Sequence, residues 1–156
     1  MHDNACCFFC HRTINETDEL RTKITEVVER LIKDENVDTF LFGSKSQFAS
    51  LCLKLVTKLK EKYPHIKRIY VRAEFPIINE SYTAYLLKSY DETYYPKKLH
   101  GTGRAAYVER NYEKINKSKY CIIYYNEQNV LAGFKSGTKI ALDYAIKKGR
   151  NIILLD

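Results

Sequence analysis

Short apolar runs alternate with long amphipathic stretches along almost the whole chain, and this alternation restricts the fold more than any single motif does. The first run, "ACCFFC" (Ala5 to Cys10), precedes a stretch from about Asp18 to Lys33 in which Leu20, Ile24, Val27, Val28, Leu31 and Ile32 fall on one helical stripe. A second strand, "VDTFLFG" (Val37 to Gly43), precedes a helix from about Ser46 to Lys62. A third, "KRIYVRAEF" (Lys67 to Phe75), is closed by Pro76. After an irregular segment from Ile77 to Leu99, the pattern resumes with a helix from about Arg104 to Asn116 and the strand "YCIIYYN" (Tyr120 to Asn126). A helix from about Ser136 to Lys148, stopped by Gly149, leads into the final strand "NIILLD".

Near-continuous apolar strands are buried on both faces, so they form a parallel sheet covered by helices on both sides. The expected architecture is therefore α/β: a Rossmann-like open parallel sheet of five strands and four main helices, in the order 3-2-1-4-5. In that order, crossovers leave the first strand in opposite directions. A crevice opens beyond the carboxyl ends of the first and fourth strands, where ligands of such sheets bind.

At 156 residues the chain is the size of one domain, 1–156. Its 26 Lys and Arg against 19 Asp and Glu give a net charge of +7, a surface that attracts anions. The lysines recur in every helix (Lys23, Lys33, Lys54, Lys58, Lys60, Lys62, Lys114, Lys117, Lys147, Lys148) and are first read as solvated faces. Five cysteines, an odd number without an export signal before them, point to reduced thiols and a cytoplasmic location. No apolar run is long enough to cross a membrane.

The residues just past the strand ends are the candidate site. "AGFKSGTKIALDYA" (Ala132 to Ala145) places Gly133 and Gly137 around Lys135, Ser136 and Thr138 at the start of a helix. Free backbone donors and the positive dipole end favour a phosphate there. The bare pattern equally fits helix capping. "FGSKSQFAS" (Phe42 to Ser50) repeats the arrangement after the second strand, with Gly43 and Ser44 at the turn.

"CFFCHR" spells C-x-x-C-H through Cys7, Cys10 and His11, the spacing of c-type haem attachment. The stretch is a strand, however, and zinc would need a fourth ligand, which Cys6, Cys52 and Cys121 in apolar contexts do not supply. No metal and no cofactor are expected. The informative part is His11-Arg12, which emerges at the crevice.

Taken in order, "CCFFCHR", "FGSKSQF", "KYPHIKRIYVRAEFP", "YVERNYEKINKSKYCIIYYN" and the terminal "KKGRNIILL" resemble the SLOG superfamily. This is the Rossmann-like group that includes the lonely-guy hydrolases and the DprA fold; the likeness is to its small bacterial or phage single-domain members. Glycine usually stands where this chain has Cys10. The resemblance implies binding of a nucleotide or nucleotide-derived molecule, of the AMP, ADP-ribose or NAD class, at the strand-end crevice. Some relatives hydrolyse the N-glycosidic bond of nucleoside monophosphates, and SLOG domains of bacterial defence proteins sense NAD-derived signals. The matching positions are His11, Arg12, Gly43, Ser44, Arg110, Asn111, Gly133, Ser136, Gly137 and Thr138. A homodimer is a further family-based expectation.

The hydrolase branch carries P-G-G-x-G-T-x-x-E, and the corresponding "FKSGTKIA" puts Ala141 where its glutamate stands. Alanine cannot donate or accept the proton that departure of a nucleobase requires. Asp143 lies roughly 200° further round the helix, and Glu74 and His11 remain only weak catalytic candidates. Glu74 reads more simply as a solvent-facing residue or a partner for Arg72 or Lys98. Binding, for sensing or sequestration, is thus the leading reading, with Tyr107, Tyr124 and Tyr125 as stacking candidates. A nucleotide N-glycosidase (phosphoribohydrolase-like enzyme) is the alternative. Single-stranded nucleic-acid binding, through Arg104, Arg110, Lys114, Lys117 and the tyrosines, is the third.

Overall fold

The computed structural model describes residues 4–10, 14–44, 46–73, 80–97, 104–124 and 137–155. Six strands run parallel in one sheet: β1 (Ala5–Cys10), β2 (Thr39–Phe42), β3 (Lys67–Val71), β4 (Glu92–Tyr94), β5 (Tyr120–Tyr124) and β6 (Asn151–Leu155), in the order β4-β3-β2-β1-β5-β6. The five helices are α1 (Asp18–Asp34), α2 (Gln47–Lys62), α3 (Glu80–Leu86), α4 (Arg104–Asn116) and α5 (Gly137–Lys147). Apart from β4, this is the order expected from the alternation of runs.

Strand alternation divides the core in two. Cys6 and Phe8 of β1 join Phe40, Phe42, Tyr70 and Ile122 under α1 and α2, with Leu86 of α3. Cys7 and Phe9 join Leu41, Val71, Cys121 and Ile123 on the other face, under Ile115 of α4 and Ala141, Leu142 and Ala145 of α5. β1 is central, and five of its six residues are buried, which is why it reads as an unbroken apolar run.

Local chemistry sets where the helices begin and end. Thr17 caps α1 by accepting from the Leu20 amide at 3.1 Å, and Ser46 caps α2 by accepting from the Ala49 amide at 3.1 Å. Gly149, at φ 69°, takes the left-handed conformation that ends α5 and turns the chain into β6.

The segment read as irregular contains α3 and the edge strand β4. β4 has only three residues, so its alternation is too short to register in the sequence. A carboxylate anchors its start. Asp91, one residue before β4, accepts from the Arg68 backbone amide at 2.7 Å and from Arg68 Nε and Nη2 at 3.1 Å each. At the other end, Tyr94 Oη donates to Glu113 Oε2 of α4 at 3.1 Å. β3 is shorter than expected, ending at Val71.

Burial raises the Asp91 pKa, but the hydrogen bonds and charge of Arg68 outweigh it, so the net shift is downward. A carboxylate with a depressed folded pKa contributes stability above its unfolded value, near 3.9, and loses it as pH falls through the folded value. Asp91→Asn is expected to cost about 1.5–3 kcal/mol at pH 7 in chemical denaturation. Its deficit against the wild type should shrink as the pH is taken below about 4.

Candidate functional site

All six strands point their carboxyl ends to one edge, but β1 is not equally closed to its two neighbours there. Its ladder with β5 continues to Cys10 opposite Tyr124, whereas its ladder with β2 ends at Cys7 opposite Leu41. The Phe8 carbonyl accepts from Lys114 Nζ of α4 at 3.4 Å, and the ammonium lies 4.3 Å from the centre of the Phe9 ring. Lys114 is 3% exposed, which corrects its reading as part of a solvated face. Burial, with repulsion from Arg110 added, pulls its pKa down to about 7.

Arg110 is 5% exposed and stands one turn before Lys114 on the same helix face. Together the two cations explain Gly43. A Cβ at position 43 would lie 2.7 Å from Arg110 Cδ and 3.0 Å from Lys114 Cδ, and the Gly43 backbone is not in the left-handed region. Close approach of the α4 side chains, rather than turn conformation, requires glycine here. The guanidinium also lies 5.2 Å from the centre of the Tyr107 ring, and Nε donates to Asn111 Oδ1 at 3.4 Å. The structure thus brings five of the sequence-derived residues and candidates, Gly43, Tyr107, Arg110, Asn111 and Lys114, to one place.

On the next strand, Arg72 follows β3. Its amide donates to the Tyr94 carbonyl at 2.8 Å. Its side chain is 4% exposed, and Nε and Nη1 have no hydrogen-bond partner among the described residues. The last registered pair is Phe42 opposite Tyr70, and Arg72 lies two residues past Tyr70 as Ser44 lies two past Phe42. Ser44 Oγ is 3.2 Å from Oγ of Ser46, the α2 cap. Among the described residues, every buried charged side chain is a cation: Arg72, Arg110 and Lys114.

Of the remaining sequence-derived candidates, His11, Arg12, Glu74, Tyr125, Gly133, Lys135 and Ser136 lie outside the described residues. Gly137 opens α5, and a Cβ there would meet no atom within 4 Å. Thr138 is buried behind it, and Ala141 is fully buried against Cys7, Phe9 and Ile123. Asp143 faces away from that core and pairs with Lys139 at 3.2 Å. At the β5 end, an open hollow is lined by Asn15, Thr17, Glu19, Leu20, Lys23 and Tyr124. Tyr124 packs there against Phe48 of α2, with ring centres 6.0 Å apart.

The cysteines sort by face. Cys7 and Cys10 are three apart on a strand and so belong to opposite cores, which separates the two thiols of the C-x-x-C spacing. Cys7 instead meets Cys121 of β5, Sγ to Sγ at 3.5 Å, a contact between distant positions that no spacing rule reveals. Burial pushes the Cys10 thiol up to about 12. Among the described residues, no three His, Cys, Asp or Glu side chains cluster as metal ligands would.

No family model and no curated protein matches the sequence. Among solved structures, the chain is similar to DNA processing protein A from Helicobacter pylori, a structure described for its single-stranded DNA binding mode. The likeness has a TM-score of 0.61 at 14% identity and covers 99% of this chain and 66% of that one. At that identity it establishes a shared DprA-like α/β fold. No described helix is long and apolar enough to cross a membrane.

Gly43→Ala tests the packing of the cation pair. Its Cβ displaces Arg110, so a loss of about 1–3 kcal/mol is expected in urea denaturation. In the Gly43→Ala, Arg110→Ala double variant most of that loss should be recovered, giving a coupling energy of opposite sign to the single effects.

Proposed function

We propose that the chain binds a nucleotide-derived anion, of the AMP, ADP-ribose or NAD class, at the carboxyl edge of its sheet, as a sensing or sequestering module. One observation carries this reading: three buried cations gather beside the Gly43–Ser44 turn while no acidic side chain is buried among the described residues. Desolvating a charge is costly unless a counter-charge meets it. Two like charges one turn apart on a helix add repulsion. An anionic ligand offsets the repulsion between Arg110 and Lys114 and meets the Arg72 nitrogens that have no partner among the described residues. Arginine holds a phosphate through two parallel hydrogen bonds, and Lys114 supplies a point charge beneath it.

The SLOG resemblance supports the same class of ligand. Within that class, binding is favoured over glycosidic hydrolysis by Ala141. At the position of the hydrolase glutamate, the chain has a fully buried alanine packed into the core. His11, Arg12 and the Gly133–Thr138 loop are assigned to the same ligand, from the sequence pattern.

A second reading, single-stranded DNA, is favoured by the H. pylori structure, whose binding mode that structure describes. The two are separated by titration calorimetry and thermal shift with AMP, ADP-ribose, NAD and an oligothymidylate. A nucleotide at a hundredfold excess over its Kd adds about 2.7 kcal/mol of stability, a rise of several degrees in Tm, and Arg110→Met should abolish it. Stabilisation by the oligonucleotide alone, with affinity falling steeply as salt rises, would replace the nucleotide reading with the DNA one. Release of free adenine from AMP would restore the hydrolase.

A further inference from the structure

We infer that Arg72 is a second anion-binding group of this site, one that selects ligands carrying a diphosphate over ligands carrying a single phosphate. The inference rests on the anion-binding reading above and extends it to a residue that neither the sequence motifs nor the resemblance singled out as a ligand contact.

Three observations lead to it. The first is burial without a partner. Arg72 is 4% exposed, and Nε and Nη1 make no hydrogen bond among the described residues. By contrast Arg68, also on β3, satisfies its guanidinium on Asp91 and Thr57. The strand can therefore pair an arginine where structure alone requires it. A guanidinium kept buried and unpaired is destabilising in the empty protein.

The second observation is register. Phe42 stands opposite Tyr70 in the last registered pair, and continuing that register two residues brings Arg72 to Ser44, the residue after the glycine against which Arg110 packs. Neighbouring strands are about 4.8 Å apart, so Arg72 and Arg110 belong to the same stretch of the sheet edge.

The third is the face each cation occupies. The Cβ direction of Gly43 leads to Arg110 and Lys114, on the face covered by α4 and α5. Alternation along β3 puts Val71 on that face and Tyr70 on the opposite one. Arg72 therefore shares the Tyr70 face. The two arginines flank the Gly43–Ser44 turn from opposite sides. A single phosphate held by Arg110 leaves the Arg72 guanidinium unmet, whereas a diphosphate has a second phosphoryl group to offer it.

The test uses inorganic pyrophosphate and orthophosphate as probes, titrated into the wild-type chain, Arg72→Met and the control Lys58→Met. The control removes the same charge from an exposed position of α2. The wild type and the control should favour pyrophosphate by about tenfold or more, and Arg72→Met should lose most of that preference while holding orthophosphate within about twofold. Without ligand, Arg72→Met should melt higher than the wild type, since methionine keeps the apolar stem and removes the unpaired charge. Arg72→Lys should keep only part of the preference, lacking the planar fork.

An unchanged preference in Arg72→Met would overturn the inference and leave the anion-binding reading standing. A markedly lower Tm or a failure to fold in that variant would also overturn it, because the guanidinium would then be structural. If neither probe binds the wild type, the anion-binding reading fails first and this one falls with it.

Discussion

A desolvated positive charge at the end of a parallel sheet is the constraint around which this molecule is arranged. Lys114 brings an ammonium in from α4 to the Phe8 carbonyl, at the level where the β1–β2 ladder has ended and the β1–β5 ladder continues. Arg110 follows on the same helix face, and both stems lie against Gly43, so the packing of α4 on the sheet, the glycine after β2 and the buried charges form one unit. No side chain larger than hydrogen fits at position 43 without moving that unit. The fold thereby positions cations at the edge to which all six strands deliver their carboxyl ends.

The surrounding elements hold that edge in shape. Asp91 and Tyr94 fasten the short strand β4 to Arg68 and to Glu113 of α4, which fixes the backbone that accepts the Arg72 amide. Thr17 and Ser46 start α1 and α2 at the same edge, and the Ile14 amide donates to Gln47 Oε1 at 3.5 Å, tying the approach to α1 to the start of α2. Side chains that are costly to bury are thus set in a frame tied together by these hydrogen bonds.

Much of the fold was legible because its strands are buried on both faces and its helices on one. The runs "ACCFFC" and "YCIIYYN" and the stripes on α1 and α2 carry that pattern directly. β4 escaped because three partly exposed residues carry no period, and its anchor, Asp91, works through a partner 23 residues away. For the site, glycine and arginine at expected positions marked Gly43 and Arg110. Lys114 entered only as a solvated lysine or part of a nucleic-acid groove, since one lysine among many looks solvated until helix packing buries it, and Arg72 only as one of the groups that Glu74 could pair with. Burial of a charge is a tertiary property, and no local spacing encodes it. The Cys7–Cys121 contact was hidden for the same reason, while the conspicuous C-x-x-C spacing places its two thiols on opposite faces.

The most direct test of the central claim, that these cations are buried to meet an anion, is a crystal structure of the chain with pyrophosphate. The account predicts the diphosphate beside the Gly43–Ser44 turn, with one phosphoryl group on Arg110 above Lys114 and the other on Arg72. Pyrophosphate elsewhere on the surface, with none at Arg110 or Arg72, would contradict it.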